Sequence, residues 1–403
     1  YDAVSSNFHE HGDTYSFVLD ASEMNLSDGI NTIAVFGCNA DLSTSSDFYF
    51  DMTMEATIPI PTLPELIDSI GIDFSHESGF YGSNFNLTMK APQPDVQIVY
   101  TLDGSNPQTS STRITTGVNT SVSINPNSTA NRGTTPAVLV RASIIKDGYG
   151  ASKPSTRTFI FLDAVKEQSY PGDNWPTYDV NGQIIDLNVD QNISKGSKYG
   201  NVFNDAMLDI PTLSIVTDNI NLFNPISGIY VNAWGHGREW ERECSFELIQ
   251  PDGSEGFNVN AGVRIRGGWS RHNDYPKHSF RIFFRSEYGD SKLKFPLYGE
   301  DGAEEFDKVD LRTSQNYSWA TGDSRNTMVR EVFSRDSQRD MEQPYTRSSY
   351  YHLYVNGMYW GVFQTQERSE ARFAADYFGG NKDDYDVVKV GTDNWSYSIE
   401  ATD

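Results

Sequence analysis

From Gly71 onward the chain alternates apolar and polar residues at a period of two over short stretches, the pattern of half-buried strands. Asn84–Lys90, Val96–Thr101, Ala137–Ile145 and Thr156–Phe161 read this way, and Gly, Pro, Asn and Ser clusters separate them. They predict an all-β unit over 71–162. Upstream, Tyr15–Leu19, Asn31–Gly37 and Asp47–Met52 predict three more strands with a turn at Asp28-Gly29. Three strands make a poor core, so 1–57 reads as the end of a sandwich that begins further upstream. Pro59, Pro61 and Pro64 mark 58–70 as a linker. The polar stretch 163–207, broken by Pro171-Gly172 and Trp175-Pro176, predicts an irregular connector. From 208 the pattern mixes strands with one helix. Asp323 or Ser324 would cap that helix, which runs to about Arg339 with Met328/Val332 and Val329/Phe333 as its i,i+4 stripe. Asn356-Gly357 predicts a type I′ turn between two aromatic-rich strands ending at Glu367.

Charge changes the picture. Lys and Arg total 31 against 55 Asp and Glu, a net −24. Nucleic acid and anionic lipid repel such a chain unless its cations are concentrated, so no nucleic-acid partner is expected. No window approaches 18 apolar residues, so no membrane span is expected. Cys38 and Cys244 are too few for a disulfide framework or a Cys-x-x-Cys zinc site; one bridge between them and two buried thiols both stay open. Abundant Asn, Ser, Thr and Gly with little Lys and Cys predict a secreted bacterial protein, extracellular or attached to the cell surface.

The cations are in fact concentrated. Arg264, Arg266, Arg271, Lys277, Arg281 and Arg285 fall within 22 residues, opposed by Asp274 alone. Alternation puts Arg264 and Arg266 on one strand face, against Val263 and Ile265. It likewise puts Lys277, Ser279 and Arg281 together, against His278, Phe280 and Ile282, with Gly267-Gly268 between the two strands. Anions, phosphates above all, suit such a surface. The competing reading has the same cations facing water or pairing with the surrounding carboxylates. Gly267-Gly268 matches neither the P-loop nor the protein-kinase glycine pattern. The seven histidines show no metal-ligand pair and no nucleophile partner, and no metal site is named.

Three stretches, "SGFYGSNFNLTMKAP", "IVYTLDGSNPQTSS" and "VLVRASIIKDGYGASKPSTRTFIF", resemble the immunoglobulin-like domain at the C-terminus of chitobiases and hexosaminidases. In its relatives this module is an accessory, and Asp103 is read as a turn residue. Residues 1–57 resemble the last strands of a jelly-roll or galactose-binding-like sandwich. The stretches "IPTLSIVTDNINLFNPISGIY", "GVRIRGGWSRHNDYPKHSFRIFFR", "VREVFSRDSQRDMEQPYTRSSYYHLYVNGMYWGVFQTQERSEARFAADYFGG" and "DDYDVVKV", from about Leu208 to Val390, are similar to the CotH kinase family. That resemblance implies a multidomain chain: all-β sandwich modules followed by an α+β, atypical protein-kinase-like domain over 208–403. It implies ATP and Mg²⁺ as cofactors and transfer of phosphate to protein hydroxyls. It further implies that Lys277 holds the ATP phosphates with help from Arg264, Arg266 and Arg271. Glu331 would partner Lys277, and Glu367 would end a hinge strand beside adenine. The family's catalytic aspartates lie beyond its "YDVVK"-like segment, so 208–403 is expected to be an N-lobe and hinge only. No catalytic residue is named, and Asp383, Asp384 and Asp386 read as a solvated turn. Two other functions stay in view: a structural or adhesive surface protein that uses the CotH-like domain as scaffold, with a matrix component as partner, and a polysaccharide-binding accessory.

Overall fold

The structure, a computed structural model, describes residues 71–314, 325–390 and 397–400, all within one compact unit spanning Pro64–Asp403. The strands expected over 1–57, the linker, Cys38 and the helix caps Asp323 and Ser324 lie outside the described residues.

The first part is a two-sheet sandwich. One sheet has the order β1-β3-β6, formed by Asp73–Phe74 (β1), Phe85–Lys90 (β3) and Asn119–Ile124 (β6). The other has the order β2-β8-β7-β4-β5, formed by Gly79–Phe80 (β2), Gln97–Thr101 (β4), Ile114–Thr116 (β5), Ala137–Ile145 (β7) and Ser155–Ile160 (β8). Leu87, Met89, Ile98, Val122, Ile124, Val140 and Phe159 fill the space between them. In β3 the expected alternation holds, with Leu87 and Met89 buried and Asn86, Thr88 and Lys90 exposed. In β7 eight of nine residues are buried, because its second face is covered as well. Asp103 does close its own turn: its carboxylate accepts from the Ser105 amide at 3.0 Å and the Thr112 hydroxyl at 2.7 Å.

What covers β7 is a closed barrel. Its strands are Thr212–Val216 (β9), Arg242–Ile249 (β10), Phe257–Arg266 (β11), Ser279–Phe283 (β12), Lys308–Arg312 (β15), Ser348–Val355 (β16) and Met358–Gln366 (β17). A short ribbon of Leu293–Lys294 (β13) and Glu305–Phe306 (β14) stands apart from it. The barrel order is β10-β11-β12-β15-β17-β16-β9, and every pair described is antiparallel except β16 with β9. Closure leaves no free strand edge. Val263, Ile265, Phe280, Ile282, Leu311, Leu353 and Phe363 join its apolar core, so their strand neighbours point outward. The hairpin turn is at Asn356-Gly357, with φ of 47° and 80°.

The sandwich and barrel meet through buried polar pairs. Thr156 and Ser245 hydroxyls lie 2.6 Å apart, and those of Thr158 and Ser214 3.1 Å apart. Asn258 and Asn260 donate to the carbonyls of Thr156 and Pro154 at 2.6 and 2.9 Å. Arg141, buried on β7, reaches Glu243 at 2.7 Å. The hairpin turn presses into the same contact: a Cβ on Gly357 would come within 2.6 Å of the Ala137 carbonyl.

The stretch 163–207 is more ordered than its polarity implies. It carries short helices at Leu162–Lys166, Gln191–Ser194 and Phe203–Leu208, and it buries Trp175, Leu187 and Met207. Its polar side chains serve as ties: Gln168 donates to the carbonyls of Leu187 and Tyr359, both at 3.0 Å. The α+β character expected for 208–403 is slight among the described residues, where the longest helices are Arg330–Asp340 and Ala371–Phe378. The apolar stripe expected on the first of these does not face a core. No residue of that helix is buried, and Val329 and Phe333 are exposed. The helix is held instead by its polar side, through Glu331. No described helix is long and apolar enough to cross a membrane.

Candidate functional site

Strand register assembles the site. Arg264 on β11 lies opposite Arg281 on β12, which lies opposite Asp310 on β15. Their neighbours fill the barrel, so these three point outward. The Arg281 guanidinium meets both Asp310 oxygens, at 2.5 and 3.0 Å, and Arg266 reaches the same carboxylate at 2.9 Å. Asp310 is 2% exposed. Burial alone would raise its pKa, but the flanking arginines outweigh that and hold it below the usual carboxylate range. Glu241 does the same for Arg264, at 2.6 Å, and Arg285, at 2.9 Å, and it too is held low against burial. The Arg264 guanidinium also lies 4.3 Å over the Phe283 ring.

Arg271 has a different task. Its guanidinium donates to the carbonyls of Gly267 (2.5 Å), Ile265 (2.7 Å), Gly235 (2.9 Å) and Ala233, and so ties the turn after β11 to the loop before β10. Burial lowers its pKa to about 10, which leaves it charged at neutral pH. Gly267 sits at φ +118°, a backbone conformation that favours glycine, and a Cβ there would strike the Ser270 hydroxyl.

Between the two loops lies a cavity of about 460 Å³, inside the range of roughly 300–1,000 Å³ typical of small-molecule sites. Gly235-His236-Gly237 forms one wall and Gly267-Gly268 another, with Arg264, Arg266, Arg271, Arg281 and Arg368 around it. Five of the twelve lining residues are arginine and none is acidic. Because arginines share single carboxylates, the positive charge is oriented without being cancelled.

Of the residues singled out in the sequence, Arg264, Arg266 and Arg271 meet at this cavity. Lys277 is not among its lining residues. The ladder begins at Ser279, because the preceding segment is pinned elsewhere: the Tyr230 hydroxyl donates to the Pro276 carbonyl at 2.6 Å and accepts from the His278 amide at 3.1 Å. The Lys277 ammonium consequently sits 3.9 Å from the Trp360 ring centroid and donates to the Asp186 carbonyl. Burial of that ammonium lowers its pKa to about 8. Glu331 pairs with Arg312 and with Arg335 at 2.6 Å, not with Lys277. Burial works against its charge, but the two arginines prevail and hold it low. Glu367 is 8% exposed, accepts from the Arg347 amide at 2.8 Å and from the Tyr377 hydroxyl, and burial raises its pKa. It fastens the helix Ala371–Phe378 to the barrel. Cys244 is buried in the barrel core, and burial pushes its thiol up.

Sequence reading left out Arg281 and Arg368 as site residues, the carboxylates Asp310 and Glu241, and the Gly235-His236-Gly237 wall. Arg281 had a signal in the basic run, and the Gly-His-Gly triplet had one in its glycines. Arg368 had none.

This arginine face lies almost wholly within the stretch that known families recognise. Residues 263–402 match the family model described as CotH kinase protein. The CotH-like match begins inside β11, so β9, β10, Glu241 and the Gly235-His236-Gly237 wall precede it. Residues 76–156 match the chitobiase/beta-hexosaminidase C-terminal domain, which comes before the CotH-like region. No curated protein matches the chain. Among solved structures it is similar to Drosophila OTK, extracellular domains 3-5, at 12% identity and a TM-score of 0.19, over 51% of this chain and 69% of that one. A likeness of that size carries no argument about fold or function. Among the described residues no group of three or more His, Cys, Asp or Glu side chains is placed to hold a metal ion. The lining of the cavity, five arginines and no carboxylate, suits a phosphate-bearing anion and offers Mg²⁺ no carboxylate ligand of its own.

Proposed function

We propose that the CotH-like region binds a phosphate-bearing anion, ATP in the first instance, in the arginine cavity. In this reading it is the nucleotide-holding part of a kinase-related protein that phosphorylates protein hydroxyls outside a bacterial cell. One observation carries the proposal: a chain of net charge −24 gathers five arginines and no acid around one cavity. Guanidinium forks match phosphate oxygens two at a time. Arg266 and Arg281 are already fixed by Asp310, and Arg264 by Glu241, so little side-chain freedom is lost when an anion arrives. ATP, when bound, would supply the phosphoryl group. The residues of this chain hold its charge and orient it, and no catalytic carboxylate is assigned among them.

Calorimetric titration with ATP at two salt concentrations tests the proposal. Binding is expected to weaken as salt rises, to vanish in Arg281→Glu, and to change little in Lys277→Ala. Loss of binding in Lys277→Ala with normal binding in Arg281→Glu would move the phosphate site to the lysine and overturn the cavity. A scaffold role draws on a separate observation, the polar weld between sandwich and barrel. No ATP binding together with self-association of the purified chain would favour it.

A further inference from the structure

We infer that Trp269 is the platform on which the ring of the bound nucleotide stacks, and that it gives the cavity its preference for a nucleotide over bare polyphosphate. The inference rests on the phosphate reading of the arginine cavity and adds a specificity-determining residue to it. Trp269 directly follows Gly268, a lining residue, and is 63% exposed. A single exposed tryptophan is ordinary. This one is braced. Its ring stacks on His272 with centroids 4.9 Å apart and planes 24° from parallel. The tight turn Trp269–Arg271 is closed by the Arg271 and His272 amides, which donate to the Gly268 and Trp269 carbonyls at 3.1 and 2.9 Å. Arg271 itself is anchored by four carbonyls. One face of the indole is thereby supported by an imidazole, and the rest is exposed on a residue that does not itself line the cavity but sits between the lining residues Gly268 and Arg271 in the chain. Trp234, next to Gly235 on the opposite wall, is also exposed but has no ring partner among the described residues.

Glu367, the position implied for base recognition, directly precedes the lining residue Arg368, but its carboxylate is taken by Arg347 and Tyr377. A base held near the arginines therefore needs another partner. A flat heterocycle stacks well on an indole, and such stacking is tolerant of which base it is.

The test compares ATP, GTP and inorganic tripolyphosphate by calorimetry, with tryptophan fluorescence quenching as a second readout. The unaltered chain should bind either nucleotide about tenfold more tightly than tripolyphosphate. Trp269→Ala should bind all three alike, at the unaltered tripolyphosphate affinity, which also shows that the variant is folded. Trp269→Phe should recover part of the preference, and Trp234→Ala should keep all of it. A preference that survives Trp269→Ala, or its absence in the unaltered chain while tripolyphosphate binds, overturns the platform and leaves the cavity reading intact. Failure of the unaltered chain to bind even tripolyphosphate overturns both.

Discussion

Two patches on the outside of one barrel use similar chemistry to opposite ends. On the β9-β10-β11 side, Ser214, Ser245, Asn258, Asn260 and Glu243 all find partners in the sandwich, and every pairing is internal to the protein. On the β11-β12-β15 side, Arg264, Arg266 and Arg281 share the two carboxylates of Glu241 and Asp310 and still line an open cavity. The first patch pairs most of its polar groups across the contact, although Arg141 Nε and Glu247 Oε2 are buried there without a hydrogen-bond partner. The second has more positive groups than negative ones. The first patch is spent on an internal contact, whereas the second keeps positive charge in excess around an open cavity.

That contrast can be broken experimentally. The largest effect is expected from Arg141→Ala. Truncating one member of a buried ion pair costs about 3–5 kcal/mol, and the low end applies here because Glu243 is partly solvated. Urea unfolding should show one transition that shifts as a whole, with phosphate binding unchanged; two separated transitions would mean the weld is not cooperative. Next comes Glu247, buried in the same interface, whose pKa burial raises from 4.5 to about 7. Between those values the folded state keeps a proton that the unfolded state has lost, so stability should fall as pH rises through that window, by about 3 kcal/mol at most. Glu247→Gln should flatten that part of the profile, and an unchanged slope would remove Glu247 as its cause. On the other patch, Arg281→Ala should affect both quantities. Stability should fall by about 1–3 kcal/mol, limited because Arg266 still pairs with Asp310, while tripolyphosphate binding, unaffected by Arg141→Ala, loses about 1.5–3 kcal/mol, the worth of a hydrogen bond to a charged group. The smallest effect is expected from Lys277→Ala, within about 0.5 kcal/mol in phosphate binding, as for substitutions away from a site. A larger loss would reconnect this lysine to the cavity.

The strands were largely legible because their period-two pattern is written in adjacent residues. The Asn356-Gly357 hairpin was legible because two neighbouring positions at positive φ leave few residue choices. Barrel closure was not, since the β9–β16 pairing joins Leu213 to Leu353, far apart in sequence. Arg264 and Arg266 were readable as outward cations, but the partner that orients Arg266 and Arg281, Asp310, comes from a strand whose register no local pattern fixes. Lys277 lies off the cavity for the opposite reason. Its local alternation was sound, but a tertiary tie from Tyr230 to Pro276 and His278 detached it from the ladder. The exposed helix stripe at Val329 and Phe333 shows that periodicity predicts a face, not a neighbour.

The fit of Gly357 against Ala137 and Thr135 bears on how such a protein can be taken apart or inherited. The tip of the barrel's most recognisable hairpin leaves no space for a side chain, because the sandwich backbone occupies it. A barrel cut free at its own first strand would carry an open socket lined by Ser214, Ser245 and Arg141's abandoned partner. A different sandwich grafted in its place would need a carbonyl at the same spot. The two modules match different families, but their shared contact makes them a single unit for truncation and laboratory dissection.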